Sequence, residues 1–125
     1  SNISNVCMLY DMHGLTKQLG AHFESLQIQQ YDQNKGHYSE HHDHAISFTD
    51  SKQRFLTFII YLNDVIEGGE TSFFNEKYKI KPESGKIVFF PASWCFPHKG
   101  HTPISSSKYI ITNWIYINCE TFDDD

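Results

Sequence analysis

Six short runs rich in β-branched and aromatic residues, at 26–33, 37–43, 55–63, 78–81, 86–90 and 108–118, dominate the chain. Turn chemistry separates them, as Asn34-Lys35-Gly36, Glu67-Gly68-Gly69, Pro82-Glu83-Ser84-Gly85 and the stretch from Pro97 to Pro103. Glycine accepts positive φ at such places, Asn and Ser bond their own backbone, and Pro cannot donate to a strand ladder. Many short strands with turns at close spacing predict an all-β sandwich or barrel. Residues 1–25 differ: Leu15, Leu19 and Phe23 recur every four residues but Gly14 and Gly20 interrupt them, which predicts a short helix or an irregular lead-in.

The chain's 125 residues suit one domain, divided into the lead-in at 1–25, a β core at 26–118 and an acidic tail at 119–125 that ends in Asp123-Asp124-Asp125. With 39% hydrophobic and 15% aromatic residues it carries too many large apolar groups to stay disordered. The net charge is −5 and the basic residues form no stripe, so a nucleic-acid partner is not expected. Cys7, Cys95 and Cys119 are an odd set without a close pair, which suggests neither a disulfide framework nor a cysteine zinc site and fits a reducing compartment. No apolar run approaches the ~18 residues of a membrane span and no signal-peptide order is visible; the expectation is a cytoplasmic protein that does not engage a membrane.

Parity on the last run is informative. Side chains alternate across a strand, so Lys108, Ile110, Thr112, Trp114 and Tyr116 share one face while Tyr109, Ile111, Asn113, Ile115 and Ile117 share the other. The second face suits packing. The first sets a lysine, a threonine and a tryptophan in a row, which suits a pocket wall.

Glu40-His41-His42-Asp43-His44 places three histidines and two carboxylates in five residues. On a strand, His41 and Asp43 face one side and His42 and His44 the other, so only one pair lines a given cavity. His42 with His44 would be a His-x-His arrangement like that of metal-binding cupin barrels. His41 and Asp43 with one distant histidine would give two imidazoles and one carboxylate on one face of an octahedral ion, leaving three open positions, as in non-haem Fe(II) oxygenases. Solvated polar residues at a strand end are the bland alternative.

Further motifs lie downstream. His98-Lys99-Gly100-His101-Thr102-Pro103 is followed by Lys108-Tyr109-Ile110-Ile111-Thr112-Asn113-Trp114. Upstream stand Tyr31, Tyr38-x-x-His41-x-Asp43, Arg54-x-x-Thr57, Tyr61-Leu62-Asn63-Asp64, Gly68-Gly69-Glu70-Thr71-x-Phe73 and Pro82-x-x-Gly85. In this order the motifs resemble the 2-oxoglutarate- and Fe(II)-dependent dioxygenases, most closely the prolyl 4-hydroxylase-like branch, over about Tyr31 to Trp114. The resemblance implies a double-stranded β-helix, or jelly roll.

It also implies His41, Asp43 and His98 as the catalytic metal ligands, since Lys108 follows His98 by the family's spacing of about ten residues and His101 by too few. It implies Lys108, Tyr31, Tyr61 and Thr112 around 2-oxoglutarate, and Tyr38, Arg54 and Trp114 toward substrate. The implied cofactors are Fe(II), 2-oxoglutarate and O₂, with ascorbate as a candidate reductant. The implied reaction hydroxylates an unactivated C–H, foremost in a peptidyl proline, with release of succinate and CO₂. Rival readings are a free amino acid or small metabolite as substrate, and a non-catalytic cupin-like module.

Two features strain the match. Arg54 and Tyr61 would face opposite sides of a regular strand unless a bulge intervenes. Ser106 stands where the family commonly has Gly, at some strain if φ is positive there.

Overall fold

The computed structural model describes residues 22–23, 26–47 and 51–118. They form ten strands: β1 (His22–Phe23), β2 (Gln27–Tyr31), β3 (Tyr38–His41), β4 (Ile46–Ser47), β5 (Lys52–Tyr61), β6 (Thr71–Phe73), β7 (Tyr78–Ile80), β8 (Ile87–Pro91), β9 (His98–Gly100) and β10 (Lys108–Asn118). All pairings are antiparallel. The expected lead-in and the acidic tail lie outside the described residues, except that His22–Phe23 adds a short strand to β10. Cys7 and Cys119 also lie outside them. No helix among the described residues is long and apolar enough to cross a membrane.

The fold is the jelly roll. One sheet has the order β1-β10-β5-β4, with β2 also on β10 and β8 also on β5; the other has the order β3-β9-β6-β7. Ile59, Tyr61, Phe90 and Ile110 of the first sheet pack with Phe73 of the second in one buried cluster. Removing such side chains from water is the main drive for closing the two sheets, at roughly 1.5–3 kcal/mol per buried large apolar side chain.

Four of the ten strands escape the run pattern: β1, β4, β6 and β9. The stretch from Pro97 to Pro103, expected as turn, contains β9, held between β3 and β6. Its three residues have no propensity signal of their own; pairing on both sides makes them a strand. The run expected to reach Asp43 ends as a strand at His41.

The bulge that Arg54 requires is present. Ile115 pairs with Leu56 but Tyr116 pairs with Arg54, which leaves Phe55 without an opposite residue on β10. The Phe55 carbonyl instead accepts the Ala92 N–H at 3.0 Å. The extra residue flips parity, so Arg54 joins the face of Thr57 and Ile59. Ser106 is not among the described residues with positive φ, so the serine carries no strain there. Gly68 and Gly69 are among the residues with positive φ (76° and 74°), and a Cβ on Gly68 would lie 2.5 Å from the Thr102 carbonyl oxygen.

Candidate metal and cosubstrate site

A cavity of about 360 Å³ opens between the sheets, lined from β10 by Lys108, Ile110, Thr112 and Trp114, the face that parity assigns to a pocket wall. Burial grades along it. Lys108 is 1% exposed, whereas Tyr38 at the mouth is 47% exposed.

Pairing of β3 with β9 sets His41 opposite His98. Asp43, beyond the end of β3, is buried beside them. One donor atom from each of the three residues falls within 4.8 Å of the others. Asp43 Oδ1 is 3.3 Å from His41 Nε2 and 3.5 Å from His98 Nε2. Both imidazoles are oriented from behind: His41 Nδ1 lies 2.8 Å from the Ser39 carbonyl and His98 Nδ1 lies 3.0 Å from that of Phe96. A carbonyl only accepts, so each Nδ1 carries a proton, and a ring without a second proton presents a bare Nε2 to Asp43. Burial lowers the pKa of His98, against the opposing effect of Asp43, which favours that neutral ring.

Burial alone would raise the Asp43 pKa, but the His41 hydrogen bond, the His98 charge and the Thr57 hydrogen bond outweigh it and hold the carboxyl at about 2. When both rings are neutral, two imidazole lone pairs and a carboxylate oxygen converge on one point. A divalent cation resolves that repulsion, and two nitrogens with one oxygen suit Fe(II).

His42 and His44 are exposed, their ring centroids 6.5 Å apart, and His42 only edges the cavity. His101 turns away from the cavity to Ser72 Oγ at 2.9 Å and Glu76 at 3.4 Å. The rival His-x-His pair is not gathered into a site among the described residues.

Sequence reasoning overlooked Thr57. Its Oγ1 donates to Asp43 Oδ2 at 2.8 Å, which leaves Oδ1 for a metal. The signal was available, because Thr57 shares the strand face of Ile59 and Tyr61 within Arg54-x-x-Thr57. Thr57→Val keeps the shape and removes the donor. It is expected to weaken divalent-cation binding about 10–100-fold in a Mn(II) titration, the range for an outer partner of a metal ligand.

Deeper in the cavity, Lys108 Nζ donates to the Gly69 carbonyl at 2.9 Å and lies 4.3 Å from the Tyr31 ring centroid. Burial pulls the Lys108 pKa down to about 8, against a smaller upward effect of Glu70. Tyr31 lines the cavity and its hydroxyl donates to Gln29 Oε1 at 3.1 Å. Burial, then Tyr38 and Asp43, push its pKa up to about 12, so the phenol keeps its proton. Thr112 lines the same wall. Tyr61 does not reach the lining: fully buried, its hydroxyl lies 2.6 Å from Thr71 Oγ1, and Thr71 lines the cavity in its place.

At the mouth, Tyr38 stacks on His41 with centroids 3.8 Å apart. Arg54 places its guanidinium 3.7 Å from the Trp114 ring centroid and donates from Nε to the Tyr116 hydroxyl at 3.1 Å. Tyr38, Arg54 and Trp114 thus edge one opening.

Comparison with known proteins follows the same lines. The sequence model of the 2OG-Fe(II) oxygenase superfamily matches residues 26–116. A protein of Acanthamoeba polyphaga mimivirus, provisionally named a prolyl 4-hydroxylase, is 36% identical over 110 residues, covering 73% of this chain and 44% of its own length. The chain therefore spans less than half of that relative. A viral collagen prolyl hydroxylase from Paramecium bursaria Chlorella virus-1, solved as a 2OG complex, superposes with a TM-score of 0.74 at 27% identity, over 92% of this chain and 70% of that one. A prolyl hydroxylase from Trichoplax adhaerens, in complex with a hypoxia inducible factor oxygen degradation domain peptide fragment, gives a TM-score of 0.62 at 25% identity, over 78% and 44% of the two chains.

Proposed function

Since the chain belongs to the 2OG-Fe(II) oxygenase superfamily, we propose that it is a prolyl 4-hydroxylase-like dioxygenase acting on a peptidyl proline. The observation that carries this reading is the convergence of His41, Asp43 and His98 donor atoms at the wall of a cavity that also buries Lys108. The mimivirus relative and the two prolyl hydroxylase structures support proline as the target. The catalytic unit is one domain over residues 1–125 with 26–118 as its jelly-roll core, in a cytoplasmic setting, with ascorbate as a reductant.

His41, Asp43 and His98 would hold Fe(II), which with O₂ and 2-oxoglutarate supplies the oxidising power for C–H hydroxylation and releases succinate and CO₂. Three protein ligands would leave three positions of an octahedral ion, enough for a chelating 2-oxo acid and O₂ together; a fourth protein ligand would leave none for O₂. Thr57 fixes the Asp43 carboxylate and backbone carbonyls fix both rings, so the ligand geometry is set before any cation arrives. Lys108 supplies the charge that neutralises the far carboxylate of 2-oxoglutarate, and Tyr31 adds a hydroxyl donor by turning its O–H from Gln29 Oε1. Tyr61 acts one step back, by orienting Thr71. Arg54, stacked on Trp114, can offer guanidinium donors to a peptide carbonyl, while Tyr38 and Trp114 offer flat apolar surfaces to a pyrrolidine ring.

The test is succinate formation by the Fe(II)-loaded protein against proline-containing peptides, free proline and a panel of small metabolites. Hydroxyproline in a peptide product is the expected result. Product from small molecules alone would replace the peptide reading. Arg54→Ala is expected to raise the peptide KM about tenfold or more, through loss of a charged donor, while 2-oxoglutarate turnover without peptide stays unchanged.

A further inference from the structure

We propose that Gly100 sets the width of the cosubstrate slot, and that the space it leaves admits a 2-oxo dicarboxylic acid with a methyl branch between its two ends. The inference rests on the cosubstrate reading above and concerns which acids that slot accepts.

Among the described glycines, most have a backbone reason to be glycine. Gly68, Gly69 and Gly85 sit at φ of +76°, +74° and +85°, and a Cβ on Gly36 would lie 2.6 Å from the Asp32 nitrogen. Gly100 has no such reason. Its φ is not in the left-handed region, and a Cβ there would meet Tyr38 Cβ at 3.5 Å, Tyr31 Cε1 at 3.6 Å and Tyr38 N at 3.7 Å, all ordinary contacts. It is flanked on both sides, opposite Tyr38 of β3 and Thr71 of β6. Gly100 ends β9 but is paired on both sides, and a glycine in a paired strand is destabilising relative to alanine and often marks close approach of a ligand.

That approach is available here, because Gly100 lines the cavity. It shares the face of His98, two residues and roughly 7 Å along the strand. On its other side stands Tyr31, over whose ring Lys108 Nζ is poised. The gap therefore lies between the metal ligands and the lysine, alongside the methylenes of any dicarboxylate held at both ends. Tyr38 does not fill it, since its ring is turned onto His41.

The test titrates Mn(II)-loaded protein with 2-oxoglutarate and with 4-methyl-2-oxoglutarate by calorimetry, for the wild type, Gly100→Ala and Gly100→Val. Gly100→Ala is expected to fold and to melt no lower than wild type, because it removes freedom only from the unfolded chain. Wild type is expected to bind the two acids within about tenfold of each other. An added methyl in a filled slot costs roughly tenfold or more, so Gly100→Ala is expected to discriminate against the branched acid at least that much further. Gly100→Val is expected to weaken both acids. Wild-type binding of the branched acid more than about tenfold weaker, or unchanged selectivity in Gly100→Ala, would overturn the proposal. If wild type binds neither acid, the cosubstrate reading itself falls and takes this inference with it.

Discussion

His98→Ala, His41→Ala and Asp43→Ala are each expected to reduce 2-oxoglutarate turnover to background, while His42→Ala and His44→Ala retain most of it. His41, Asp43 and His98 bring one donor atom each within 4.8 Å of the others, whereas the other two histidines are exposed and their ring centroids 6.5 Å apart. Loss of one of only three protein ligands should exceed the about 100-fold upper range for loss of an outer partner. Metal content after dialysis, measured beside succinate formation, separates failure to bind metal from failure to fold. The buried Asp43 makes the contrast sharper: with either imidazole gone, its carboxylate keeps its burial but loses a partner that holds its pKa near 2. Full activity in His41→Ala would sink the ligand assignment.

Lys108 is expected to show opposite effects on stability and on binding. Burial depresses its pKa from 10.5 to about 8. Below about pH 8 the ligand-free fold must therefore hold a desolvated ammonium, a penalty of about 3 kcal/mol at 1.36 kcal/mol per unit. The folded pKa lies below the unfolded one, so this penalty is fully present below about pH 8 and is relieved as pH rises to 10.5. The contribution of Lys108 to ligand-free stability should accordingly rise across that window. Lys108→Met should melt higher than wild type at pH 7 and lose this rise.

Binding runs the other way. A dicarboxylate needs the charged lysine, so wild-type affinity for 2-oxoglutarate should fall toward tenfold per pH unit above about pH 8. Lys108→Met should raise the KM for 2-oxoglutarate about 100-fold or more, the scale of a lost charge-assisted pair in a buried site. Thermal melts and KM values from pH 7 to 9.5 check both halves. A Lys108→Met protein that melts lower at pH 7 and keeps its KM would contradict the assignment.

The legible parts of this site are those with a local cause. The alternation along 108–118 assigned Lys108, Thr112 and Trp114 to one wall, and the cavity is lined by those residues. The order of motifs chose His98 over His101; His98 of β9 lines the cavity, whereas His101, just past the end of β9, bonds Ser72. Tyr61 stands behind the cavity wall for a non-local reason: its hydroxyl bonds Thr71 of the other sheet. Thr57 was within a recognised motif yet acquires meaning only because Asp43 leaves its strand and folds under it.

The amino-acid order by itself determined the strand-rich character of the chain and the parity of its last strand, because side-chain alternation is a property of a single stretch of backbone; the ordered motifs, through the family they resemble, pointed to the proposed ligand set. Only the tertiary structure decided the Phe55 bulge that turns Arg54 inward, the β3–β9 pairing that brings His41 to His98, and the space at Gly100. Those depend on register and desolvation between segments tens of residues apart, and no short window of sequence contains both partners of such a contact.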